Sequence, residues 1–164
     1  FIYEIDLMCL DSESAAEVWL ALGATRLTFH VEADTNPKRL LASARRRYGS
    51  GDVVSFGLAL NIDTDISLVE KCLADIEYVQ FMGIQKIGRQ GQIFDTRVLD
   101  KIRAFHKSHS EVPIQVDGGV SLENAKALLH AGATNLVVGS KILRAKDPAS
   151  VIADFENLQT SFGV

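Results

Sequence analysis

Cysteine is scarce in this 164-residue chain, with Cys9 and Cys72 the only two. They show no metal-type pairing, so a reducing compartment, the cytoplasm, is expected. Long apolar runs are also lacking: none approaches the roughly 18 residues that would read as a membrane-spanning helix. Nor is there an excess of positive charge. A formal net charge of -4 and a pI near 5.5 argue against a nucleic-acid partner. The one basic cluster, Arg45-Arg46-Arg47, falls at the end of an expected helix, where cations suit the dipole and stay solvated. Neither an initial Met nor a signal peptide is recognisable. The chain opens on Phe1 inside an expected strand, so N-terminal residues are expected to have been lost or left out. Glycine is missing from the turn Leu10-Asp11-Ser12-Glu13, after the first expected strand. A doubly wound nucleotide binder carries its glycine-rich turn there.

What is present is an alternation of strand and helix. With 47% hydrophobic residues, residues 1–164 suit a single globular domain with a real core. Apolar runs predict strands over residues 1–10, 26–31, 53–61, 78–84, 113–116 and 135–138. Helices are expected over residues 12–22, with Ser12 as N-cap and Gly23 as stop, and over 37–49, opening at Asn36-Pro37. Others are expected over 67–74, 95–109 and 122–130, and from Asp147-Pro148 onward. Asp63, Thr64 and Asp65 read as caps of the third helix. His106, His109 and His130 read as surface residues of outer helices. Strands separated by one helix each make a parallel sheet covered on both faces. The glycines follow the last strands and not the first, which favours a TIM (β/α)8 barrel over an open doubly wound sheet. A whole barrel needs about 200 residues or more, so about six of its eight units are read here.

Ile114-Gln115-Val116 runs into Asp117-Gly118-Gly119, and Leu136-Val137-Val138 runs into Gly139-Ser140. A strand that ends in glycines and feeds a helix leaves backbone N–H groups free to point at an anion. Two such ends on the last two strands are what a barrel uses to hold a phosphate. Asp117 puts a carboxylate at the same mouth.

These stretches, with Asp6-Leu7-Met8, Leu27-Thr28-Phe29-His30-Val31-Glu32-Ala33 and Gly57-Leu58-Ala59-Leu60-Asn61, resemble the ribulose-phosphate 3-epimerase family. The resemblance runs from that family's third strand to its eighth helix and implies a ribulose-phosphate-binding barrel. It implies an isomerase of the pentose phosphate pathway, interconverting ribulose 5-phosphate and xylulose 5-phosphate. Asp117 then matches a catalytic aspartate, and Gly118, Gly119, Gly139 and Ser140 the phosphate grip. Met8 and Met82 match methionines placed against the reacting carbons; core packing is the alternative for both. A divalent metal (Zn, Fe or Mn) is implied, with Asp117 as one ligand. Asp6 stands where the family has a third-strand His ligand, and an aspartate favours harder ions. The second-strand ligands lie outside the chain. The loop after Met82, residues 83–94, departs most from the family's lid. Gly88 and Gly91 there still offer N–H groups, and Lys86 and Arg89 add charge that would strengthen phosphate capture or lie in solvent. The family keeps His30 without using it as a ligand, so a hydrogen-bonded strand-end histidine is expected.

Epimerisation beside a carbonyl needs two acid/base groups facing each other across a planar enediolate. Asp117 supplies one; the other is not among these residues unless Asp6 serves. Two alternatives remain open. Hexulose-phosphate synthases and related decarboxylases carry Asp-x-Lys-x-x-Asp on the third strand, and this chain has Asp6 and Asp11 but Met8 in place of the lysine. A non-catalytic sugar-phosphate-binding protein would keep only the grip. In each case the expected partner is a phosphorylated ketose, together with further copies of the chain in a homo-oligomer.

Overall fold

A computed structural model describes residues 2–33, 36–49 and 53–162, the side chains only as far as residue 158. Phe1, where the first strand was expected to begin, lies outside the described residues. Strands and helices alternate: β1 (Glu4–Leu7), α1 (Ser12–Ala21), β2 (Arg26–His30), α2 (Pro37–Tyr48), β3 (Ser55–Leu60), α3 (Ser67–Glu70) and β4 (Tyr78–Met82). Then come α4 (Arg97–Ser108), β5 (Ile114–Asp117), α5 (Leu122–Ala131), β6 (Asn135–Val137), α6 (Ser140–Leu143) and α7 (Pro148–Phe162). The chain divides into two compact units, Phe1–Leu60 with Thr64–Gln80, and Asn61–Asp63 with Phe81–Val164. β4 contributes to both. No helix of the described residues is long and apolar enough to cross a membrane.

In the first unit β1 pairs with β2 and β2 with β3, all parallel, with Asp6 opposite Thr28 and Thr28 opposite Gly57. β2 is buried on both faces, as a covered parallel sheet requires: Leu27, Phe29, Thr28 and His30 are all under 4% exposed. Phe29 meets Phe56 edge to face at 5.7 Å between ring centroids. The other parity is polar. The Thr28 and Tyr78 hydroxyls share a hydrogen bond of 2.6 Å, and the Arg26 guanidinium lies 3.7 Å above the Tyr78 ring centroid while pairing with Glu4 at 2.9 Å. Gly57 makes room for this ring, because a Cβ there would lie 2.3 Å from it. In the second unit β5 pairs with β6, parallel, with Asp117 opposite Val137. Phe81 packs edge to face on Phe105 of α4 at 5.5 Å. The strands follow chain order, β1-β2-β3-β4-β5-β6. A doubly wound sheet would have placed β1 in the middle, so the sequential order excludes it.

Several local readings change. Asp11, not Ser12, caps α1: its carboxylate accepts the Ser14 amide at 3.2 Å. The helix expected over 67–74 is a single turn followed by a 3-10 turn at Leu73–Asp75, because the Cys72 and Asp75 amides reach back only three residues. Arg45 is not merely solvated. It lies 4.3 Å over the Phe56 ring, donates to the Val54 carbonyl at 2.7 Å and pairs with Glu77. His106 is not simply at the surface either, since its ring covers Gly132, where a Cβ would lie 2.5 Å from it.

Candidate functional site

Asp117 ends β5, at the carboxyl end where its backbone leaves the ladder, and is half-buried. Its carbonyl accepts the Gly83 amide at 2.7 Å, and the Gly83 carbonyl accepts the Asp95 amide at 2.8 Å. The fit is close. A Cβ on Gly83 would lie 2.3 Å from the Gly118 carbonyl oxygen, and one on Gly119, whose φ is 68°, would lie 2.8 Å from the Phe94 Cα. Backbone therefore packs on backbone here, which only glycine permits. Beyond Gly119, a reciprocal capping box joins Ser121 and Asn124 at the start of α5, and the Asn124 amide also donates to the Gly119 carbonyl at 2.9 Å.

A cavity of about 400 Å3 opens beside this turn, lined among others by Gly91, Gln92, Gly119, Ser140, Lys141 and Arg144. Gly91, Gly119 and Ser140 are thus brought together. Gly118 lies one residue back, against Ile84, and Gly139 precedes Ser140 with open space where a Cβ would go. Gly88 lies outside this lining, in open space. The loop from residue 83 folds on itself through the Gln92 amide, which donates to the Lys86 carbonyl and, at 2.8 Å, to the Arg89 carbonyl. Lys86 and Arg89 are exposed. At the loop's exit the Arg97 guanidinium grips the Asp95 carboxylate and holds its pKa down to about 2; the same guanidinium pairs with Asp63 at 2.7 Å. Asp63 is therefore an ion-pair partner, while Asp65 accepts the Ser67 amide at 2.8 Å in the turn before the helix, whose N-cap position is Ile66. Met82, at the end of β4, is 1% exposed, whereas Met8, just after β1, is 41% exposed.

In the first unit Asp6 sits near the carboxyl end of β1 and meets two donors. His30 Nε2 lies 2.8 Å from one of its oxygens, and the Gln80 amide donates to the other at 2.8 Å. Glu32 lies 3.7 Å from His30 Nδ1. Burial opposes charging of this imidazole, but the Asp6 and Glu32 carboxylates outweigh it and raise the pKa to about 9. His30 is thus the hydrogen-bonded strand-end histidine, protonated at neutral pH. The donor set does not fit a metal at Asp6. The two groups nearest its oxygens are a ring nitrogen already engaged with the carboxylate and an amide that donates, so neither offers a lone pair to a shared ion. Nor do three or more His, Cys, Asp or Glu gather as metal ligands anywhere among the described residues.

Three contributors escape a reading of the sequence. Gln80 carried a signal, as the one amide in the buried run Tyr78-Val79-Gln80-Phe81-Met82, where an unpaired polar group would be costly. Lys141 and Arg144 follow Ser140 closely, and the turn of α6 brings Arg144 back to the cavity; four-residue spacing was the available clue.

The family model for the ribulose-phosphate 3-epimerase family matches residues 1–143. Ribulose-phosphate 3-epimerase of Schizosaccharomyces pombe is 27% identical over 155 residues, covering 94% of this chain and 65% of that protein. The enzyme of the same name from Synechocystis sp. is 31% identical over 160 residues, covering 94% and 67%. The chain thus spans about two thirds of the length of these relatives, and slightly less for the first. A ligand-bound crystal structure of KGPDC from Streptococcus mutans superposes with a TM-score of 0.73 at 18% identity, over 98% of this chain and 72% of that one. The fold is accordingly the (β/α)8-barrel type, with about six βα units present.

Proposed function

Because the chain belongs to the ribulose-phosphate 3-epimerase family, we propose that it serves epimerisation of a ketopentose phosphate at carbon 3, interconverting ribulose 5-phosphate and xylulose 5-phosphate in the cytoplasm. The observation that carries this reading is the β5 exit: a half-buried carboxylate, Asp117, followed at once by Gly118-Gly119 and beside the cavity lined by Ser140. In this architecture catalytic groups stand at the carboxyl ends of strands, and phosphate is held by the loops of the last two.

In this reading the phosphate binds at Gly118, Gly119, Gly139 and Ser140, with backbone N–H groups and the Ser140 hydroxyl as donors. Gly91 and Gly88 close over it from the loop. The Asp117 carboxylate takes the proton from carbon 3. The C–H electron pair moves into the C2–C3 bond and the carbonyl π pair to the carbonyl oxygen, giving an enediolate. A proton returned to the opposite face of carbon 3 completes inversion, and that face needs a second acid/base group. No step is drawn through a metal, given the donors already on Asp6.

Formation of xylulose 5-phosphate from ribulose 5-phosphate tests the reading. Asp117→Asn keeps the shape and removes the base, so turnover should fall on the order of 10²-fold or more. Affinity for the sugar phosphate should change much less, because the phosphate contacts remain. Full activity in the Asn variant would reduce Asp117 to a structural residue of the turn.

A further inference from the structure

Two cations line the cavity, and their surroundings differ. Lys141 acts on Glu123, whose carboxyl is drawn below its usual range first by the Ser121 hydroxyl, then by its own backbone amide and by Lys141. Arg144 has no carboxylate partner among the described residues. Its guanidinium instead rests on Gly91. A Cβ there would lie 2.7 Å from Nη1, 3.1 Å from Nη2 and 3.2 Å from Cζ, so the Nη end of the guanidinium occupies the space a side chain would take. Gly91 has φ 75° and belongs to the self-folded loop. Arg144 is fixed at the other side of the cavity, its amide donating to the Ser140 carbonyl at 3.1 Å. One side chain thus spans from the wall that carries Ser140 to the loop that carries Gly91.

We infer that Arg144 is a ligand-binding residue that takes a phosphate as its missing counter-charge and, seated on Gly91, latches the loop over it. The inference rests on the phosphate reading above and goes beyond it, since it assigns an ionic clamp and a loop-closing contact to a residue outside the glycine grip. Arginine suits the task because its planar fork offers two parallel donors to a phosphate, which a lysine does not. Glycine suits position 91 because any Cβ would push the guanidinium off its seat.

Titration calorimetry with inorganic phosphate and with ribulose 5-phosphate tests this on the protein and its variants. Arg144→Met should weaken both ligands about tenfold, the scale of one solvent-accessible charge-assisted contact, and Arg144→Lys should recover only part of the loss. Gly91→Asn, which tolerates positive φ, should weaken binding when Arg144 is present and add nothing to Arg144→Met. Phosphate should slow amide exchange at Gly88 and Gly91 in the unaltered protein but not in Arg144→Met. If Arg144→Met binds phosphate normally while Gly139→Trp does not, the latch is wrong and the phosphate site stands. If the unaltered protein binds neither ligand, both readings fall.

Discussion

A half-buried carboxylate is costly unless donors reach it, and Asp6 has one from a neighbouring strand and one from β4. Its partner His30 holds a proton in the folded state up to a pKa of about 9, whereas an unfolded histidine sheds it near its ordinary value. The raised value means that the stabilisation is complete below pH 6.5 and is lost as pH rises toward 9, by on the order of 3 kcal/mol for such a shift. Urea unfolding at pH 6 and pH 9.5 should show that decline, and His30→Gln should flatten it; equal stability at both values in the unaltered protein would rule the pair out as a proton-linked support. At this scale the sequence was only partly readable. The turn Asp117-Gly118-Gly119 was legible because its residues sit next to one another in the chain. Gln80 and Arg144 were not, because what gives each its role lies in a different element: Asp6 on β1 for the amide, Gly91 in the loop for the guanidinium.

Elements were more legible than caps. Apolar runs located each strand, since a covered parallel strand needs apolar side chains on both faces. Ends were harder: Asp11 and Ser12 are both good N-caps, and only backbone geometry chose Asp11. The four-residue α6 was invisible because one turn carries no hydrophobic period. The contact between β3 and β4 at Gly57 and Tyr78 makes a sharp test of packing. Gly57→Ala would drive a methyl into the ring and should cost about 3 kcal/mol or more, the upper range for overpacking. Tyr78→Phe keeps the ring but strands the buried Thr28 hydroxyl, for a smaller loss of about 1–2 kcal/mol. Chemical denaturation midpoints should rank the two in that order, and a mild Gly57→Ala would show that the ring can move aside.

At the scale of the whole molecule, strand order was legible because each βα unit places its strand beside the last. β1 and β6 each have a single strand neighbour among the described residues, and exposed strand edges of a parallel sheet invite pairing. These 164 residues expressed alone should therefore associate, and light scattering should return a mass above 17.9 kDa; a strict monomer would mean that the edges are tolerated. The central claim concerns chemistry at carbon 3, and solvent isotope exchange examines it most directly. With ribulose 5-phosphate in D2O, proton NMR should show deuterium entering carbon 3 with the unaltered protein, at least about 10²-fold more slowly with Asp117→Asn, and not detectably with unphosphorylated ribulose. Exchange that proceeds equally in the Asn variant, or equally without the phosphate, would contradict it.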